Sequence, residues 1–324
     1  KTSTRFWQRG IDDPEQGDAL RRLGLYLVLV MVYTFGINGV LRADLFVLKS
    51  MLAGATTQVG LNSDMVSGVY AAMLNLARLP YQAVVAVTFV VFPMISRATF
   101  ESDTEATRGY IEGTLRYAFL LLMLLGVLIA GNAEELVLGL FGAAFGDGVM
   151  PLMVLSLATI GFALFFIATT MITGAGHPGV SVVLALVMMG LTAVLNITLV
   201  GGALANEGPI AAVALMNMAA GATATAMVVG CGLAVGYLVW RFEAGLPWST
   251  LLRGTLAAGL VLAVSLGVPL PLDEVGRVSL LAVATVKGAL GAALFMGCLA
   301  VGREFGPEDT RRLMRVVRRK RRAA

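Results

Sequence analysis

Apolar residues recur along the chain in eight runs of 19 or more mostly hydrophobic positions, at 24–49, 66–94, 117–138, 149–173, 179–204, 209–240, 251–269 and 278–301. A helix rises about 1.5 Å per residue, so each run is long enough to cross roughly 30 Å of hydrocarbon. The runs predict an all-α, polytopic membrane helix bundle of about eight transmembrane helices. Three regions follow: a polar lead-in at 1–23, an eight-helix lobe at 24–301 and a basic tail at 302–324. Between the second and third runs, Ser96 to Arg116 mixes charges of both signs and predicts an interfacial helix. Glu134, Glu135 and Asp147 mark an external connection between the third and fourth runs, and 174–179, 241–253 and 269–277 read as turns.

Composition removes the soluble alternative. Hydrophobic residues make up 58% of the 324 positions and charged residues 14%, more apolar surface than one soluble core could bury. Placement of Lys and Arg then tests the span count, because loops on the cytoplasmic side are enriched in them. Eight spans put nineteen of the 24 cations on one side, including Arg21, Arg22, Arg97, Arg108, Arg116, Arg241, Arg253 and the nine from Arg303 to Arg322. Lys49 and Arg277 fall on the other side, while Arg42, Arg78 and Lys287 lie inside spans. Both ends are therefore expected in the cytoplasm. The net charge of +4 comes from the tail, which suits anionic membrane lipid rather than nucleic acid; a membrane-lying helix and a solvated orientation signal both fit it. The chain begins at Lys1 in a polar segment without an initiator Met or a signal peptide, and a fragment or processed product is expected.

Ionisable groups inside a span are costly and mark cavities or partners. Asn75, Arg78 and Gln82, spaced by three and four, share one face of the second span, and Pro80 within it permits a kink. Asn38, Arg42 and Lys49 share a face of the first span. Asp44 stands two positions from Arg42, about 200° around a helix, so it is expected to turn to a neighbouring helix. The functional reading is a water-filled cavity of Arg42, Arg78, Asn75, Asn38 and Gln82 that holds an anionic head group, since guanidinium groups grip phosphate through paired charge-assisted bonds. Asp44 is the possible ion or charge partner. In the plainer reading Arg42 snorkels outward and Arg78 satisfies backbone carbonyls at the Pro80 kink. Lys287 suits either a lipid contact or a helix pair, and Asn196 a hydrogen bond between helices.

Other patterns carry no chemistry. Gly174, Gly176 and Gly179 fit G-x-G-x-x-G, but the match follows a membrane helix rather than a strand and contains Pro178. His177, the one histidine, lies in that turn. Gly232 and Gly236 fit the G-x-x-x-G of close helix packing. Cys231 and Cys298 lie in apolar spans without ligand-spaced partners, so no metal and no cofactor is expected. No D-x-D pair, H-E-x-x-H or Ser/His/Asp set is present to make the chain an enzyme such as a membrane glycosyltransferase.

The string Y-A-A-M-L-N-L-A-R-L-P from Tyr70, followed by V-V-F-P-M-I-S-R up to Arg97, resembles the second-lobe opening of polysaccharide and lipid-linked oligosaccharide flippases. L-F-G at Leu140 to Gly142, G-A-G-H-P-G at 174–179, L-N-I-T-L at Leu195 to Leu199 and R-E-F-G-P-E-D-T-R-R-L in the tail follow in the family's order. The superfamily also contains multidrug extruders and the lipid II flippase. The resemblance implies the C-terminal half of a two-lobe transporter of the bacterial inner membrane, with an N-terminal lobe of the same protein as partner. It implies alternating access by which the head group of a lipid diphosphate-linked oligosaccharide passes between lobes. The segment Ser50 to Asp64 is longer than the family's tight connection, and the cavity is less basic than in the lipid II branch, which favours a polysaccharide repeat unit. A cation-coupled drug extruder is the second reading, with Asp44 its one intramembrane acid.

Overall fold

The computed structural model describes residues 14–59, 63–205, 212–267 and 276–304. The first helix, α1 (Pro14–Val59), is followed by α2 (Ser63–Ala77), α3 (Leu79–Phe100), α4 (Thr104–Gly131), α5 (Ala133–Leu140), a 3₁₀ turn (Ala143–Gly148) and α6 (Val149–Gly174). Then come α7 (Pro178–Ala205), α8 (Ala212–Phe242), α9 (Trp248–Gly267) and α10 (Arg277–Val301). Eight of these helices, α1, α3, α4 and α6 to α10, are long and apolar enough to span a membrane, so the chain is an all-α, multi-pass membrane bundle. Proline sets several starts: Pro14 and Pro178 open α1 and α7, and Pro80 sits in the first turn of α3. Its fixed φ and missing N–H cost nothing there.

The second run is two helices, not one. Ala77 ends α2, Arg78 forms the joint and Leu79 begins α3, because Pro80 has no N–H to return to the preceding turn. Arg78 stays near helical geometry, with φ −83° and ψ −5°, and the Gln82 N–H still reaches the Arg78 carbonyl at 3.2 Å. The joint is thus a bend rather than a reversal. The expected interfacial helix at Ser96 to Arg116 is not separate. Only Glu101–Asp103 interrupts the helices, and Thr104 starts α4, its first turn capped by the Asp103 carboxylate accepting from Ala106 N at 2.9 Å. Most of Ser50 to Asp64 continues α1 up to Val59 rather than forming a long loop. The lead-in before Pro14, the connection at 268–275 and the tail beyond Glu304 lie outside the described residues.

The helix α6 is the hub: 72% of its most apolar window is buried, against 50% or less in the other spans. It is apolar on all sides, as a central helix must be, and it packs on α8, α4, α3, α2 and α7. Lipid offers no hydrophobic advantage over a helix face, so close approach depends on small residues. A Cβ on Gly161 of α6 would stand 3.3 Å from the Met227 carbonyl oxygen of α8, and one on Gly36 of α1 would stand 3.1 Å from Ala185 of α7. Gly232 and Gly236 play no such part. Nothing lies within 4 Å of a Cβ placed on either, so among the described residues the G-x-x-x-G pair is not a helix contact.

The buried apolar residues form two clusters. One contains Ile37, Val40, Val84, Phe162, Ala185 and Met227, the other Leu48, Leu52, Tyr70, Met73, Leu152, Val200 and Leu215. Each of α1, α7 and α8 passes from one to the other, and at the crossing point it carries a buried polar residue: Asp44, Asn196 and Thr223 respectively. A polar layer therefore divides the apolar core.

Candidate functional site: a cleft beside Arg78 and a buried carboxylate

The residues singled out on α1 divide between two faces. Asn38 and Arg42 are exposed, whereas Asp44 is 1% exposed, as the 200° separation requires. The exposed face overlooks a cleft. The α1 helix packs on α7 and α2, and α3 packs on α6 and α4, but α1 and α3 have no packed interface with each other. Between them opens a groove of about 410 Å3, lined by Tyr33, Thr34 and Asn38 from α1, Tyr81 from α3, and Phe166 and Thr170 from α6. The Tyr81 ring packs edge-on against Phe162 and Phe166, with centroids 5.1 Å and 5.3 Å apart. The groove lies toward the end of the bundle at which α1 begins.

Arg78 stands beside the cleft, near its lining residues Asn38 and Tyr81, without lining it. Placed by the α2–α3 joint, it is half-buried, and its Nη2 donates to the Leu41 carbonyl of α1. One guanidinium donor thus ties the joint to α1 rather than to a carbonyl at the Pro80 kink, and four of its five N–H groups remain for other partners. Arg42 follows Leu41 on α1 and is exposed, so its charge adds to the positive field around the joint. Asn75 and Gln82 are exposed on either side of the joint but do not line the groove.

Behind the α1 wall, the Asp44 carboxylate is enclosed in the polar layer. Oδ1 accepts the Leu45 N–H at 2.8 Å, while Oδ2 accepts the Tyr70 hydroxyl at 3.2 Å and the Thr223 hydroxyl at 3.3 Å. Asn196 donates to Thr223 Oγ1 at 3.2 Å and to the Thr192 carbonyl at 2.9 Å, and its own Oδ1 is buried without a partner. Among the described residues, no Lys or Arg forms an ion pair with Asp44. Oxygen atoms of Asp44, Thr223 and Asn196 are the donor type that suits a hard cation.

Lys287 and Glu135 form a separate centre. The Lys287 Nζ lies 2.6 Å from Glu135 Oε1, and Glu135 is 3% exposed. Glu135 is thus no solvated loop acid but the buried partner of an α10 lysine, brought to it because α5 packs against α10. At the opposite end of α10, Glu304 accepts from Thr250, Arg253 and Arg116. Burial alone would raise its carboxyl, but these donors together outweigh it and hold the group below the usual glutamate range.

Sequence spacing placed Asn38 and Arg42 on one face but omitted Thr34, a full turn earlier on the same stripe. Tyr70, Thr223, Tyr81 and Thr170 carried no signal beyond their residue type. Scanned against models of known protein families, the chain matches none, and no curated protein matches it.

Proposed function

We propose that this chain is one lobe of a bacterial inner-membrane transporter that moves a lipid diphosphate-linked oligosaccharide, a polysaccharide repeat unit, by alternating access. The observation that carries the reading is the guanidinium pair beside the cleft, Arg78 tied to the Leu41 carbonyl and Arg42 next to it on α1, one turn from the cleft-lining Asn38. Guanidinium groups there meet a diphosphate with directional, charge-assisted bonds. The α1 and α3 walls leave the cleft open on its side, so that a lipid tail can stay in the bilayer while the head group enters. The second lobe that alternating access needs is an N-terminal part of the same protein. The Lys and Arg asymmetry supports cytoplasmic ends, with the groove facing the cytoplasm and the basic tail among anionic lipids. The reading assigns transport, not catalysis.

In the cell that makes the glycan, Arg78→Glu at unchanged membrane level should reduce outward appearance of the lipid-linked glycan by about a hundredfold. That is the scale of losing one desolvated charge partner, about 3 kcal/mol. Wild-type export by this variant would remove Arg78 from the mechanism.

The enclosed Asp44 favours a second reading, a cation-coupled multidrug extruder. Among the described residues no Lys or Arg forms an ion pair with it, although the charge of Arg78 acts on it, and a proton or an alkali cation would complete the counter-charge. Yet Asp44 faces the polar layer and not the cleft, which suits a coupling role in a glycan flippase better than contact with a cationic drug. Sodium- or proton-driven efflux of a cationic dye that survives Arg78→Glu but not Asp44→Asn would favour the extruder. A lipid II cargo uses the same diphosphate contacts and ranks behind a repeat unit.

A further inference from the structure

We infer that a second groove, on the far side of α3 from the cleft, binds a neutral lipid alcohol with its hydroxyl seated on Asn132. The inference goes beyond the transport reading and does not depend on it. The first turn of α3 places Tyr81 in the cleft, while Leu79, Pro80 and Ala83 line the other groove. Helices α3 and α10 both pack on α4 but have no packed interface with each other. The space between them, about 540 Å3, is floored by the end of α4. Leu128, Ile129, Leu136 and Leu281 make its walls apolar, and among the described residues no charged side chain lines it.

Asn132 also lines this groove; it joins α4 to α5 and is 3% exposed. Its Nδ2 donates to the Leu128 carbonyl at 2.7 Å, which sets the orientation of the amide, and Oδ1 is left buried with no hydrogen-bond partner. Hydrocarbon holds no water to meet it, so such an acceptor is costly. Gly288 of α10 keeps the amide uncovered, because a Cβ there would meet only Asn132 Nδ2, at 3.9 Å. Three residues earlier, the exposed Thr285 donates its one hydrogen to the Leu281 carbonyl at 2.8 Å, so its oxygen too can only accept. Two unmet acceptors in an apolar groove call for a donor. A carboxylate or an ester brings none and leaves Oδ1 stranded. An ammonium brings one but buries a charge without a counter-ion, since Glu135 is already paired with Lys287. A hydroxyl donates to Oδ1 and can also accept the second Asn132 N–H, while its hydrocarbon chain covers the leucine walls.

The test is the thermal midpoint of the full chain, delipidated in detergent, against rising micellar mole fractions of 1-hexadecanol, its methyl ether, hexadecanoate or hexadecylammonium. A ligand of the folded state raises the midpoint with concentration. The alcohol should bind about tenfold more tightly than the ether, the worth of a hydrogen bond that satisfies a buried acceptor, and neither charged head should exceed the ether. Asn132→Leu should reduce the alcohol to the affinity of the ether. Gly288→Leu, which fills the space over the amide without altering it, should weaken both. Equal binding of alcohol and ether by the wild type, tighter binding of a charged head, a preference for the alcohol that survives Asn132→Leu, or unchanged alcohol binding by Gly288→Leu overturns the site. So does a chain that sediments as a dimer and is dissociated by Gly288→Leu, because a second copy then covers the groove.

Discussion

The Lys287–Glu135 pair joins an intramembrane lysine to a glutamate whose side chain is almost fully buried. Removing one partner strands the other, which costs about 3–5 kcal/mol, whereas replacing both with apolar groups of similar size often costs little. Lys287→Met should therefore lower the thermal midpoint of the purified protein strongly, and Lys287→Met with Glu135→Leu should restore most of the loss; equal midpoints for the single variant and the wild type would contradict a structural pair. The example also shows where single residues stop being legible in sequence. Lys287 is conspicuous in an apolar run, but its partner stands 152 positions earlier, on a short helix that looks like a solvated connection. Asp44 behaves similarly. Helical spacing turns it away from Arg42, yet nothing local reveals that Tyr70 and Thr223 receive it, because the pairing depends on how three helices pack.

At the scale of the helices, length and apolarity determine most of what forms, and the deviations have local causes. Pro80 divides the second run at Arg78, the Asp103 cap starts α4 before the apolar stretch does, and α1 continues past its apolar run. Helix pairing depends on something subtler than a glycine motif. Gly161 and Gly232 look alike in sequence, but only Gly161 faces another backbone. Gly161→Ala should push α6 from α8 and destabilise the protein by about 1–3 kcal/mol, while Gly232→Ala should be neutral or slightly stabilising, since alanine is the better helix former by up to about 1 kcal/mol. Thermal unfolding of the two variants side by side reads the difference, and the reverse order would mean that α6 and α8 do not pack as described.

For the whole molecule, the hydropathy pattern makes the membrane bundle legible, because eight apolar runs admit no soluble alternative. The cleft is less so. It exists because α1 and α3 lean on different neighbours, and a sequence gives the faces of a helix without saying which face is left uncovered. That uncovered face, with Thr34, Asn38 and Arg42 one turn apart, is either wet or in lipid, and passage of a charged head group needs it wet. Asn38→Cys, in a chain whose Cys231 and Cys298 are replaced by Ala, decides the matter by its reaction in native membranes with a charged, membrane-impermeant thiol reagent applied from the cytoplasmic side. The account predicts labelling at Asn38→Cys as rapid as at a cytoplasmic turn, and none at Val229→Cys on the outer face of α8. Labelling of Asn38→Cys by a lipid-soluble maleimide alone, with the charged reagent inert, would contradict it.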